Sequence, residues 1–420
     1  MLNRGGYSRH TVCVIFVRYI LVMRSKKLKV QSAVARDSVA GLMQPLSPLD
    51  RKWWLAWLSI SGVGWKTFAQ LLAFCSVRKI SLEEVYFSGL LQDELGLNQP
   101  IKEVLNSKNK NDSAIFIEDG LRNKKLWLVF FGDALYPKLL YNIPQPPWLL
   151  FGSGEYFQQP ELPVAVVGTR RMSGYGQMVT RQLVTELVGQ HSSIISGAMY
   201  GVDWCSHEAA LAAQGSTIGI LGYGHDFLGQ GFYKRRFEAA QAAGMVFLSE
   251  YSPDTQPSKG TFPQRNRIVA GISEAVLVTE AGLKSGSHIT ALAGLEYGRV
   301  VGAVPGPITH PYTEGTKWLV NQGATLVSTA SDILDEIFLS KPELRSKVLS
   351  AVKNSSTAAT GATGMSILQT SILNLLDQQP LSVDDLSLQL AHNPAEVVAQ
   401  LSFLELTGQA IFTGAAWMRA

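Results

Sequence analysis

Between Pro163 and about Leu339 the chain alternates short apolar runs with stretches long enough for three or four helical turns. The runs are Val164–Val167, Ser193–Ser196, Thr217–Leu221, Met245–Leu248, Ala275–Thr279 and Val300–Val304. They are almost continuous in Val, Ile, Leu and Ala, so both faces of each strand must be covered. The stretches between them supply the dozen or more residues that a parallel crossover needs. The expected fold is therefore α/β: an extended Rossmann-like, mostly parallel sheet flanked by helices. In such a sheet ligands collect outside the carboxyl ends of the strands.

Other segments frame this domain. Residues 1–45 include a short apolar run, Thr11–Met23, interrupted by Arg18. It is too short to span a bilayer. It resembles a signal peptide faintly, and an upstream extension with translation starting at Met43 is the preferred reading. Residues 46–125 form a small helical domain in which Gly62-Val63-Gly64 separates two helices. Either this is a helix-hairpin-helix whose turn amides can hold a backbone phosphate, or the glycines simply make a tight turn. The sheet domain is expected over 126–340, opening with a strand at Leu126–Phe131 and a Pro-rich connector, Tyr136–Pro147. Residues 341–366 are rich in Ser, Thr, Ala and Gly and read as a linker. Three short helices and a β-hairpin over 367–420 make a winged helix.

The formal charge is only +4, with 17% charged and 46% hydrophobic residues, so a basic site must come from local clustering. Clusters do occur after the strands. Gly168-Thr169-Arg170-Arg171 follows the first, Ser196 and Gly197 close the second, and Lys234-Arg235-Arg236 opens a helix after the third. Three cations at a helix N-terminus oppose the macrodipole, which favours an anionic partner. Arg265, Asn266 and Arg267 precede the fifth strand, and Ser285-Gly286-Ser287 begins the helix beyond Glu280. Exposed amides at that helix start suit phosphate, and hydroxyl capping by Ser285 or Ser287 uses the same groups. Lys284 and Lys317 are further candidates. Tyr200, Tyr233 and Phe262 lie among these cations as platforms for bases; a basic groove with aromatic rings is how a single strand is held without sequence preference. Asp203, at a helix start, either serves as a cap or dipole partner or orients Arg170 or a neighbouring backbone amide.

Several chemistries find no support in the pattern. A Gly-x-Gly-x-x-Gly string, a phosphate-loop lysine motif, HExxH and paired CxxC motifs are all absent, so no cofactor and no metal are expected. None of the seven histidines has a nucleophile at a recognisable elbow. The three cysteines, Cys13, Cys75 and Cys205, are far apart, which favours a reducing compartment and a cytoplasmic protein. The tail is acidic: from Ser366 onward Arg419 stands alone against Asp377, Asp384, Asp385, Glu396 and Glu405. Such a winged helix is expected to meet protein rather than duplex DNA, or to do nothing essential.

The segments GDALYPKLLYNIPQPPWLLFGSG, VAVVGTRRMSGYG, SGAMYGVDWCSHEAAL, FLSEYSPDTQPSKGTFPQRNRIVAGIS, VLVTEAGLKSGSHITA and VVGAVPG resemble DNA processing protein A, the DprA/Smf family. The resemblance spans roughly Met43 to Ala420. It implies single-stranded DNA binding, loading of the RecA recombinase onto incoming DNA in natural transformation, a homodimer formed through the Rossmann domain, and no enzymatic activity. It places the family's phosphate-binding arginine on Arg170 and a second basic contact on or beside Arg235. Departures are Tyr200, where the family has arginine, the missing proline after Tyr233, Lys317 in place of asparagine, and His288 in place of a small apolar residue. The competing reading is a Rossmann-like phosphoribohydrolase of the lysine-decarboxylase-like kind. Against it, the chain has Glu280-Ala281-Gly282 and Ser285-Gly286-Ser287 in place of a Pro-Gly-Gly-x-Gly-Thr loop.

Overall fold

A computed structural model describes residues 47–107, 124–155, 162–228, 234–345 and 367–419, apart from isolated positions. The amino-terminal extension, residues 229–233 with Tyr233, and most of the linker lie outside the described residues. The chain divides into two compact units between Val348 and Leu349.

The first unit begins with five helices: α1 (Pro48–Leu58), α2 (Trp65–Arg78), α3 (Leu82–Phe87), α4 (Gly89–Leu95) and α5 (Gln99–Ser107). The Ser47 hydroxyl accepts the Asp50 amide at 3.2 Å, and Pro48 presets the first turn, so α1 starts there. Its Trp53, Trp54 and Trp57 are all buried. Trp54 meets Phe68 of α2 and Trp148 edge-on, at 5.0 and 5.7 Å between ring centroids. Each such side chain removed from water contributes about 1.5–3 kcal/mol, which a short helix could not supply by propensity alone. The same apolar cluster continues under the sheet through Phe151, Ile218 and Leu248.

The nine-stranded sheet contains β1 (Trp127–Phe130), β2 (Leu149–Ser153), β3 (Pro163–Val167), β4 (Ser193–Ser196), β5 (Thr217–Ile220), β6 (Val246–Ser249), β7 (Ala275–Val278), β8 (Val300–Ala303) and β9 (Thr325–Leu326). Their spatial order is β1-β2-β6-β5-β4-β3-β7-β8-β9. Every pair from β6 to β9 is parallel, while β1 and β2 add antiparallel at one edge. The crossover helices are α6 (Gly174–Gly189), α7 (Val202–Ala212), α8 (Lys234–Ala242), α9 (Thr261–Gly271), α10 (Ser287–Glu296) and α11 (Thr313–Asn321), and α12 (Ala330–Ser340) follows β9. The chain winds from β3 toward β6 in one direction, then returns to place β7 on the other side of β3. That reversal between β3 and β7 is the topological switch point, where loops from the two halves diverge and leave a crevice.

The second unit packs α13 (Ile367–Leu376), α14 (Val383–Leu390) and α15 (Pro394–Leu406) around Leu386, Val397 and Leu401. The hairpin β10 (Ala410–Phe412) and β11 (Trp417–Arg419) forms the wing.

Candidate nucleic-acid interface

A cleft of about 560 Å³ opens at the switch point, beyond the carboxyl ends of β3, β4 and β7. Its walls carry Gly168, Thr169, Arg170 and Arg171 from the loop after β3, Gly197 from the loop after β4, Phe262, Arg265 and Asn266 from α9, and Lys284, Ser285, Gly286 and Ser287 ahead of α10. Arg170, Arg171 and Lys284 are exposed. The Arg170 guanidinium carbon lies 5.6 Å from the centre of the Phe262 ring, so cation and aromatic face are presented together.

Close backbone contacts hold the Arg170 loop in place. The Thr169 amide donates to Glu280 O at 2.7 Å, and Val202 N donates to Thr169 O at 3.2 Å. Gly201 adopts φ +79°, and a Cβ there would run into Thr169 O. A Cβ on Gly168 would come 2.6 Å from the Val202 side chain and 2.7 Å from Glu280 O. Only glycine lets three chain segments meet so closely. The Glu280 carboxylate, 4% exposed, is fully engaged: it accepts the Ser173 amide at 2.8 Å and the Ser173 hydroxyl at 2.6 Å. It ties the end of β7 to the start of α6, so its role is to set the loop between them.

Beneath the cleft floor lies a buried charged cluster. Arg265 is 3% exposed, and its Nη1 donates to Gly197 O and Ile220 O, joining the ends of β4 and β5. Asp203, in the first turn of α7, approaches the same glycine from the other side: a Cβ on Gly197 would lie 2.5 Å from Asp203 Oδ2 and 2.7 Å from Arg265 Nη2. Burial pushes the Asp203 carboxyl up to about 6, opposed in part by Arg265, the Met199 amide and Arg170. Asp203 does not cap α7, whose cap residue is Gly201 with no side-chain bond; it sits in the first turn, and its charge bears on Arg265 and Arg170. Ala198, beside them, is held at φ +51°, a conformation non-glycine residues rarely adopt.

The start of α10 lines the cleft with its amides engaged locally: His288 N donates to Ser285 O at 3.2 Å and Ile289 N to Gly286 O at 3.1 Å. Its cap residue, Gly286, offers no side chain, and the nearest hydroxyl cap is Ser285 Oγ, which accepts the Ser287 amide at 3.4 Å. Asn266 Nδ2 donates to Gly286 O at 3.3 Å, fixing that turn against α9.

Residues 127–338 match the family described as DNA recombination-mediator protein A, and residues 356–411 match the DprA winged helix domain. The chain belongs to the DprA/Smf family. DNA processing protein DprA of Bacillus subtilis (strain 168) is 38% identical over 205 residues, covering 48% of this chain and 68% of that protein. Protein Smf of a Synechocystis strain is 33% identical over 296 residues, covering 68% of this chain and 72% of its own. The X-ray structure of DNA processing protein A from Streptococcus pneumoniae superposes with a TM-score of 0.54 at 30% identity, over 68% of this chain and 97% of that one. The family's mostly parallel sheet and winged helix are thus the expected architecture.

Six of the residues expected to hold phosphate are placed otherwise. Arg265 is spent on backbone carbonyls beneath the cleft. Arg267 lies on the side of α9 away from it, donating to Gln145 O at 2.5 Å and pairing with Glu250. Both follow from one fact: residues 261–271 are a helix, so neighbours in sequence point some 100° apart. The Ser196 hydroxyl is buried and donates to Val166 O at 2.7 Å, bridging two strands. Lys317 is exposed on α11 and does not line the cleft. Lys234 and Arg235 are exposed at the start of α8, also outside the cleft walls, with Lys234 3.8 Å from Glu238. Tyr200 is 49% exposed in the turn after β4, likewise off the walls. Residues not expected at the site line it as well, among them Met199, Ile289 and Tyr312. Tyr312 arrives from the loop after β8, and nothing in its local sequence marks it.

Proposed function

We propose that this chain binds single-stranded DNA in the switch-point cleft and, as a homodimer formed through the sheet domain, loads a RecA-type recombinase onto incoming strands during transformation. The observation that carries the binding step is the convergence of Arg170, Arg171 and Lys284 with the Phe262 ring in one cleft. Exposed guanidiniums track phosphates, and a ring beside them stacks any base. The relatives named DNA processing protein support the same reading. No chemistry is assigned to the cleft: Glu280 is engaged by Ser173, and His288 approaches the carbonyls of Leu283 and Gly315 at 3.1 and 3.3 Å. Among the described residues no group of three His, Cys, Asp or Glu could hold a metal, and no helix is long and apolar enough to cross a membrane.

A titration of single-stranded DNA, duplex DNA and AMP at two salt concentrations tests the binding step. Single strands are expected to bind tightest and to lose affinity as salt rises. Equal affinity for duplex would refute the reading, and release of free adenine from AMP would replace it with a phosphoribohydrolase. Recombinase loading is tested by filament growth on strands precoated with a single-strand-binding protein. No acceleration on adding this chain would remove that part alone.

A further inference from the structure

We infer that a second cleft, between the Gly62-Val63-Gly64 turn and the loop after β6, takes bases of the same single strand as it leaves the phosphate cleft. The inference rests on the single-strand reading above. This cleft measures about 570 Å³ and is lined by the α1–α2 turn, Trp65, Trp148 and residues 250–256. It opens on the same edge of the sheet. Glu250 follows the carboxyl end of β6, and Leu149 begins β2, which runs antiparallel to β6. The first turn of α9 separates the two clefts. Phe262 and Pro263 face the first, while Tyr251 of the second donates from its hydroxyl to Thr261 O at 3.3 Å.

The lining selects bases over phosphates. Trp65 and Trp148 are stacked at 5.7 Å with only 14° between their planes, and Trp65 is partly exposed, so a third flat ring can extend the pair. The charged groups on the walls are Glu250, already paired with Arg267, and Asp254, an exposed carboxylate. A carboxylate repels the backbone but accepts from the exocyclic amino groups of adenine, cytosine and guanine.

Fluorescence anisotropy on the full chain, with mixed-sequence strands of about 6 and about 20 nucleotides, tests this, since single-strand sites cover about 4–16 nucleotides. Trp65→Ala is expected to weaken the long strand about tenfold, the worth of one or two stacked bases, and to leave the short one unchanged. Gly64→Asp supplies a second variant that keeps the fold. Gly64 caps α2 with no side chain, and a Cβ there meets nothing within 4 Å. An aspartate should cap the helix and raise the melting temperature while setting a negative charge at the cleft, weakening the long strand about fivefold. Parental binding of the long strand by both variants would overturn the inference. So would an equal loss for both strand lengths, or a loss in Trp65→Ala that Gly64→Asp does not share. Arg170→Glu separates the two readings: it is expected to abolish binding at both lengths, and if it does not, the phosphate cleft itself is misassigned.

Discussion

Replacing Arg170 probes the cleft most directly, because the residue carries two separable properties. Its charge is one of three exposed cations on the walls, with Arg171 and Lys284. For single strands the slope of log affinity against log salt is about −0.7 per phosphate neutralised, so three contacts give about −2 and two give about −1.4. Between about 50 and 200 mM salt, the parent should therefore lose about eighteenfold and Arg170→Ala about sevenfold. At fixed low salt the alanine variant should bind about 10- to 100-fold more weakly, the range for a charged hydrogen bond of about 1.5–3 kcal/mol. The second property is the flat guanidinium over Phe262. Arg170→Lys keeps the charge and should keep the parental slope, yet lose severalfold in affinity, because an ammonium neither forks nor stacks. Anisotropy titrations across a salt series give both quantities. Parental slope and affinity in Arg170→Ala would refute the placement of phosphate here; a reduced slope in Arg170→Lys would show that the fork, not the charge, is being counted.

Three further outcomes follow from the buried groups. Asp203 carries a carboxyl pushed up to about 6, so lowering pH through 6 removes a negative charge from the cleft floor. Strand affinity should rise over that interval, and Asp203→Asn should bind tighter at neutral pH and lack the inflection; an unchanged pH profile would count against it. Gly201→Ala forces a side chain into Thr169 O at φ +79°, which should cost roughly 1–3 kcal/mol in urea melts and displace the Arg170 loop. A variant with parental stability and binding would show that the loop needs no such approach. Burial lowers His207 to about 3. The unfolded chain takes up that proton near pH 6.5, so the stability due to His207 is complete above 6.5 and lost as pH falls from there toward 3, by about 1.4 kcal/mol per unit. His207→Gln should flatten acid denaturation curves by that amount; curves as steep as the parent's would place the proton elsewhere.

The amino-acid sequence by itself determined the parallel strands, because unbroken Val, Ile and Leu runs admit no solvent-facing side. Ser193–Ser196 has the same limits in sequence pattern and structure, and the other runs differ at their ends by a residue. Gly168, Gly197 and Arg170 were legible too, because a sharp turn after a strand leaves its mark on composition. The strand Leu149–Ser153 escaped notice, although its apolar run was visible, because the prolines before it read as a connector. Its antiparallel partnership with β6 could not have been read at all, since the pairing joins residues nearly a hundred positions apart.

Tertiary structure alone decided which cations meet the cleft. Within α9 the helical turn sends Arg265 inward to backbone carbonyls, Arg267 toward Glu250 and Asn266 to the α10 start. Three adjacent residues thus acquire three different surroundings. Residue type reports that a charge is available, whereas direction depends on the rotation of the helix against the sheet, and that is set by packing between segments distant in the chain.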